Sequence, residues 1–277
     1  MCEAMGRREI PMEDGEMLQI DELPSMESCF PSVIIDFIAS QIRLLGSQAG
    51  KLHNPSRSIE SYFFELLGRA ENEGEKKIWA GGPLHSTKKG DLSTGHKCLE
   101  WLDRQEPNSV LYVSFGTTTA HKDEIKELAL GLEQSGSKFI WELRDADKVD
   151  VFDTQDVRGP QLPEGFEVRV KDTGIVVRDW APQLEILGHL STSAFMSHCG
   201  WNSCTETINM GVPIAAWPMH SDQPRTALLI TDVLKVGVAV MKWAETNEKV
   251  SATMIRRAVK KLMASDKEMR LGRGLQR

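Results

Sequence analysis

Apolar positions change their period along this chain, and the change marks its organisation. Between Ser32 and Leu45 they recur at helical spacing (Val33, Ile34, Phe37, Ile38, Ile42, Leu45). Gly46 and Gly50 end that helix. A second helix is expected from Ser58 to about Gly68, with Ile59, Phe63, Leu66 and Leu67 as its stripe. Short strands are expected near 51–53 and 78–80. Residues 1–24 show no period and carry mixed charge, which reads as a loose tail. The run GGPLHSTKKGDLSTG at 81–95 is rich in turn-forming residues and is taken as the domain boundary. The expected layout is a tail (1–24), a first piece (25–92) and a larger C-terminal domain (93–277).

Beyond 95 short continuous apolar runs of the buried-strand type recur: 109–115, 138–143, 175–178, 193–197, 213–217 and 238–241. Helical patterns alternate with them, at 98–102, 123–134, from Pro182, 202–210, 223–234 and from Ser251 to about 264. Residues 144–172, charged and holding Pro160 and Pro163, are read as a long loop. Strands apolar on both faces, alternating with helices, predict an α/β domain with a parallel sheet covered on both sides. Right-handed crossovers bring the C-terminal ends of all strands to one edge. The loops 116–120, 144–150, 179–182, 198–202 and 218–223 gather there, where open parallel sheets bind ligands.

The charge balance is 33 − 40 = −7. No basic block stands out, so nucleic acid and anionic membrane are poor candidates as partners. The five cysteines (2, 29, 98, 199, 204) include no CxxC pair, which reads as reduced thiols. The N-terminus lacks the apolar run of a signal peptide. The most apolar segment, 30–45, is interrupted by Asp36, Gln41 and Arg43 and is too short to span a bilayer. A soluble cytoplasmic protein is the expectation.

The edge loops carry the candidate chemistry. After the fourth strand, His198-Cys-Gly-Trp-Asn-Ser203 leads into a helix. Gly200 permits a tight turn and close backbone approach. Asn202 and Ser203 sit where free N–H groups favour an anion, so a phosphate cradle is possible, with His198 as a further donor. The competing reading is a plain N-cap, with Ser203 and Glu206 as a capping box. Trp180 could stack on a planar base, with the Ala181 backbone at its edge, or belong to the core. Glu206 could accept two ribose hydroxyls. Asp222 and Gln223 could take sugar hydroxyls, or Asp222 could simply cap a helix. Thr117, Thr118 and Thr119 could serve a phosphate or form a polar turn. Glycine-rich dinucleotide and P-loop patterns, H-E-x-x-H and G-x-S-x-G are all absent. No metal-ligand spacing links His189, His198 or His220 to the cysteines.

Taken together, Trp180–Gln223 resembles the plant secondary-product glycosyltransferase signature over its full length, with WAPQ, HCGWNS and a closing DQ. CLEWLD, SVLYVSFGT and KFIWELRDAD extend the resemblance. RDAD, AFMSHCGWNS and WPMHSDQP are most similar to the zeatin O-glucosyltransferase branch. The resemblance implies a GT-B fold, two Rossmann-like domains with a UDP-sugar in the C-terminal one. It implies that Trp180 stacks on uracil, Ala181 touches its edge, and Gln183 and Glu206 bind ribose. His198, Asn202, Ser203 and Thr117 would serve the diphosphate, and Trp201, Asp222 and Gln223 the sugar, glucose being favoured by the final Gln. The implied reaction is metal-free inverting transfer from UDP-glucose to a hydroxyl of a small acceptor such as zeatin, without a further cofactor. The family's base is an early N-terminal histidine oriented by an aspartate. The match begins near FPSVIIDFIASQ, past the place of both, so no catalytic residue is expected within this chain. His53, His85 and His96 stand in the wrong segments to replace the base. A fragment of a transferase and an inactive UDP-sugar-binding module both remain open on this reading. The piece at 30–80 is expected to leave apolar faces exposed unless they pack elsewhere, with poor solubility as the result.

Overall fold

The computed structural model describes residues 9–11, 17–19, 23–44, 50–54, 59–60, 63–65, 67–68, 77–82, 84, 96–116, 122–143, 161–245 and 249–264. The chain divides into two compact units, Met1–Ser86 and Thr87–Arg277. The division falls inside the turn-rich run 81–95.

In the first unit, strands β1 (Glu9–Pro11) and β2 (Met17–Gln19) pair antiparallel. Part of the segment 1–24, expected to be a loose tail, is therefore paired as strands. Three-residue strands are too short to show a period, so the pattern could not reveal them. Helix α1 (Met26–Cys29) is capped by Ser25, whose Oγ accepts the Ser28 N–H at 3.1 Å. Helix α2 (Ser32–Leu44) follows the expected stripe. Its Val33, Phe37 and Ile42 are 69%, 60% and 62% exposed, so part of the apolar face lies open. Strands β3 (Gly50–His53) and β4 (Lys77–Ala80) pair in parallel. Of the helix expected at 58–68, the described residues 59–60, 63–65 and 67–68 are helical.

The second unit opens with α3 (Lys97–Leu102) and then winds a six-stranded parallel sheet. Its elements are β5 (Val110–Ser114), α4 (Lys122–Ser135), β6 (Lys138–Glu142), α5 (Phe166–Arg169), β7 (Gly174–Val177), α6 (Gln183–Leu187), β8 (Thr192–Ser197), α7 (Trp201–Asn209), β9 (Ile214–Ala216), α8 (Gln223–Leu228), β10 (Gly237–Ala239) and α9 (Ala252–Ala264). The spatial order is β10-β9-β8-β5-β6-β7. The chain therefore runs outward from β5 to β7, then returns to place β8 on the other side of β5. This is the doubly wound arrangement with a reversal between β5 and β8, the crevice where such sheets take ligands.

Three details depart from the sequence reading. The segment 144–172 is not all loop, because α5 forms one turn within it. The helix expected over 223–234 is α-helical only to Leu228 and continues as a π-helical turn, Leu229–Val233. Pro182 stands at the cap of α6, one position before the first helical residue.

The alternation along β5 shows why the sheet is buried on both faces. Leu111 and Val113 join a core with Phe139, Trp141, Met196 and residues of α4 and α9. Val110 and Tyr112 join another with Cys98, Leu102, Ile140, Ile186 and Phe195. All five β5 residues are buried. Tyr112 stacks on Phe195 across the β5–β8 junction, with centroids 5.0 Å apart. Deleting that ring is expected to cost about 3–5 kcal/mol through lost burial and the cavity left behind. Thermal unfolding of Phe195→Ala should show a large fall in Tm, whereas Val168→Ala, at a side chain 72% exposed, should leave Tm nearly unchanged.

Candidate functional site

The candidate residues arrive at the sheet's C-terminal edge from separate crossovers. Trp180 and Ala181 lie between β7 and α6, His198 just after β8, Trp201, Asn202 and Ser203 in the first turn of α7, and Asp222 and Gln223 at the start of α8. Thr117, Thr118 and Thr119 lie outside the described residues, as does the loop 144–150.

Helix α6 is the crossover that returns the chain to the reversal point, and its first residue ties it to α7. Gln183 Nε2 donates to Glu206 Oε2 at 2.6 Å and to Ser203 Oγ at 3.3 Å. This bears on the capping reading of Ser203 and Glu206. The capping-box reading is overturned. The cap of α7 is Gly200, no side chain caps it, and the helix begins at Trp201. With the helix start shifted, Ser203 lies inside the first turn and Glu206 turns to Gln183. Asp222 does occupy the cap position of α8, yet its side chain makes no capping bond and is exposed. Trp180 is 56% exposed, so its indole is not a core residue. Asn202 is exposed.

Gln223 is already partly engaged within the protein. It is 5% exposed, and its Oε1 accepts the N–H groups of Met219 at 2.9 Å and His220 at 3.1 Å. The carboxamide oxygen thus shapes the loop after β9, and only the amide N–H end is left to meet a ligand hydroxyl.

His198 is held in a narrow slot. A Cβ added at Gly116 would come within 2.9 Å of its Cε1, and one at Gly200 within 2.5 Å of its Nε2. The two loops flanking the β5/β8 reversal therefore close on the ring from both sides, and each carries glycine where the ring passes. His198 Nδ1 is buried and makes no hydrogen bond among the described residues. Burial, and secondarily His220, push the imidazole from 6.5 down to about 4, while Asp222 pulls the other way. His198 is thus neutral near pH 7, able to donate through one nitrogen and accept through the other.

The turn between His198 and α7 is strained. Cys199 has φ 65°, and Ser221, in the loop after β9, has φ 62°. Neither is a residue that favours this region, and such departures gather at functional sites. Ser197 supports the first of them, its Oγ accepting the Cys199 N–H at 3.1 Å. Cys199 and Cys204 are both fully buried, and hydrogen bonding to Cys199, then burial, push the Cys204 thiol up, so Cys204 is a packing thiol, not a reactive one. Among the described residues no group of three or more His, Cys, Asp or Glu could hold a metal ion.

The sequence reading gave no role to Glu142. It ends β6, and its Oε2 accepts Tyr112 OH at 2.6 Å and Ser114 Oγ at 2.9 Å. Burial, then the carboxylate, raise the Tyr112 phenol well above its ordinary value. Glu142 Oε1 lies 3.4 Å from the Ala181 backbone nitrogen. The available signal was a carboxylate closing an otherwise apolar strand, KFIWE.

With this geometry in place, comparison with known proteins defines the class. The family model described as UDP-glucoronosyl and UDP-glucosyl transferase matches residues 79–273, and that of the glycosyltransferase N-terminal domain matches residues 7–86. The chain belongs to this UDP-glucoronosyl and UDP-glucosyl transferase family. It is 54% identical over 246 residues to the zeatin O-xylosyltransferase of Phaseolus vulgaris, covering 87% of this chain and 54% of the relative. It is equally similar to the zeatin O-glucosyltransferase of Phaseolus lunatus, at 54% identity, covering 87% of this chain and 53% of the relative. The chain therefore spans about half the length of these curated relatives. Among solved structures it resembles Phytolacca americana UGT2 complexed with UDP-2fluoro-glucose and pterostilbene (TM-score 0.75, 32% identity, 92% of this chain, 55% of that one). It also resembles a transferase from Siraitia grosvenorii in complex with UDP (TM-score 0.77, 31% identity, 97% of this chain, 60% of that one). The fold class is GT-B, as expected from the signature.

The depressed His198 has a sign that can be checked. The unfolded imidazole takes up a proton near pH 6.5 and the folded one only near 4, so between these values the unfolded chain binds more protons. The associated stability is fully present above 6.5 and is lost as pH falls toward 4, on the order of 3 kcal/mol in all. Denaturant midpoints measured across this window should fall more steeply for the unaltered chain than for His198→Asn.

Proposed function

We propose that the Thr87–Arg277 unit binds a UDP-sugar at the C-terminal edge of its sheet, and that the chain serves glycosyl transfer to a hydroxyl of a small acceptor. The observation that carries the reading is the Gln183–Glu206–Ser203 cluster beside an exposed Trp180 and a neutral, glycine-flanked His198. Each part suits one piece of a nucleoside diphosphate sugar. The open indole offers a stacking face for a base. Glu206, hydrogen-bonded by Gln183, keeps acceptor capacity for ribose hydroxyls. His198, Asn202 and Ser203 stand at the start of α7, where backbone N–H groups and the dipole favour phosphate oxygens. Thr117 is assigned to the same diphosphate on its position after β5. Trp201, Asp222 and the Gln223 amide flank the sugar.

The same groups would stabilise charge on departing UDP as the acceptor attacks the anomeric carbon. Preorganised donors cost no rearrangement at that moment. The acceptor proton goes to a general base that we assign to no residue of this chain. The names of the two Phaseolus relatives make zeatin the first acceptor to test, with both UDP-glucose and UDP-xylose as donors. We retain glucose as the favoured sugar, a cytoplasmic setting, and the chain's being part of a longer transferase as elements of this proposal. No helix among the described residues is long and apolar enough to cross a membrane.

Calorimetry should detect UDP binding by the unaltered chain. Trp180→Ala should weaken it by about 5- to 150-fold, since stacking of a base on an aromatic ring is worth roughly 1–3 kcal/mol. An absence of UDP binding, or equal affinity in the variant, contradicts the assignment. Turnover of zeatin with UDP-glucose by the chain alone would show that the base does lie within it.

A further inference from the structure

The indole of Trp180 is more than half exposed, so packing alone does little to aim it. Its direction depends on the backbone that carries it, and that backbone is gripped at a single peptide unit. The carbonyl oxygen of Trp180 lies 3.1 Å from His96 Nε2. The amide nitrogen of Ala181, the other half of the same peptide plane, lies 3.4 Å from Glu142 Oε1. In a trans peptide these two groups point in opposite directions. The plane is therefore held from both sides.

Both holders are themselves anchored. His96 Nδ1 accepts the Cys98 N–H at 3.3 Å, capping α3. A nitrogen that accepts carries no proton, so in the neutral ring the proton sits on Nε2 and is donated to the Trp180 carbonyl. Glu142 is pinned to β5 through Tyr112 OH and Ser114 Oγ, both on Oε2, which turns Oε1 toward Ala181. The peptide is thus referred to α3 on one side and to the central strand on the other.

We propose that His96 and Glu142 are positioning residues that clamp the Trp180–Ala181 peptide and so preset the base-stacking platform of the donor site; this rests on the reading of that site as a UDP-sugar site. Neither residue touches the ligand. Their contribution is that the Trp180 indole is in place before the base arrives, which avoids an ordering cost on binding.

Three substitutions separate clamping from mere stability. In His96→Asn the amide oxygen can still cap α3, but the side chain is too short to reach Trp180. His96→Gln places an amide N–H near the Nε2 position and should restore the contact. Glu142→Gln can keep its oxygen on the two hydroxyls only by turning an NH₂ toward the Ala181 N–H, donor against donor. Dissociation constants for UDP and for inorganic pyrophosphate are measured by calorimetry, alongside Tm. His96→Asn and Glu142→Gln should each weaken UDP about five- to tenfold, the worth of one hydrogen bond, while pyrophosphate changes less than about twofold and Tm holds. His96→Gln should recover UDP affinity. UDP affinities equal to the unaltered chain's, or losses shared by UDP, pyrophosphate and Tm, overturn the clamp. A nitrogen-15 spectrum tests it without ligand: the Nε2–H tautomer of His96 is expected, and the Nδ1–H tautomer overturns it. Failure of the unaltered chain to bind UDP would instead overturn the donor-site reading beneath it, and the clamp's functional role with it.

Discussion

Everything at the candidate site depends on one topological constraint, the reversal of strand order between β5 and β8. Parallel strands need crossovers, and right-handed crossovers deliver every C-terminal strand end to the same edge. Where the winding changes direction, the loops after two adjacent strands diverge and leave a crevice. Here those loops carry Gly116 and Gly200, and the His198 ring fills the slot between them. The return crossover from β7 brings α6 to the same place. That is why Gln183 can reach Ser203 and Glu206, twenty and twenty-three residues further along the chain.

The chemistry gathered there relies on neutral and oriented groups rather than on positive charge. His198 is kept uncharged by burial, and no lysine or arginine enters the cluster described above. Its anion-binding capacity would come from helix-terminal N–H groups, hydroxyls and an imidazole, each fixed by a neighbour. The fixing has a local cost in left-handed Cys199 and Ser221. Ser197 and the Gln223 carboxamide supply hydrogen bonds that hold these turns.

Much of this was legible in the sequence. The alternation of continuous apolar strands with helices marked the parallel sheet, because strands buried on both faces leave no polar alternation, as at Val110–Ser114. The ordered match from Trp180 to Gln223 spans loops that the structure brings to the C-terminal edge of the sheet. What escaped were features set by contacts distant in sequence. Ser203 and Glu206 fit a capping box locally, and only the approach of α6 showed Glu206 turned to Gln183. The sequence did not show that the Gln223 oxygen also shapes the 219–220 turn. Glu142 and His96 carried no motif, since their significance arises only when β6 and α3 meet the same peptide. The β1–β2 pair was missed because three-residue strands leave no period to detect.

The central claim is that the β5/β8 edge receives a nucleoside diphosphate against His198. The most direct measurement is a titration of the His198 ring resonances by NMR, assigned with His198→Asn, in the absence and presence of UDP. Without ligand the ring should stay neutral down to about pH 4. With UDP its resonances should shift and its midpoint should rise, because a phosphate beside the ring favours the protonated form. Identical titrations with and without UDP would contradict the account.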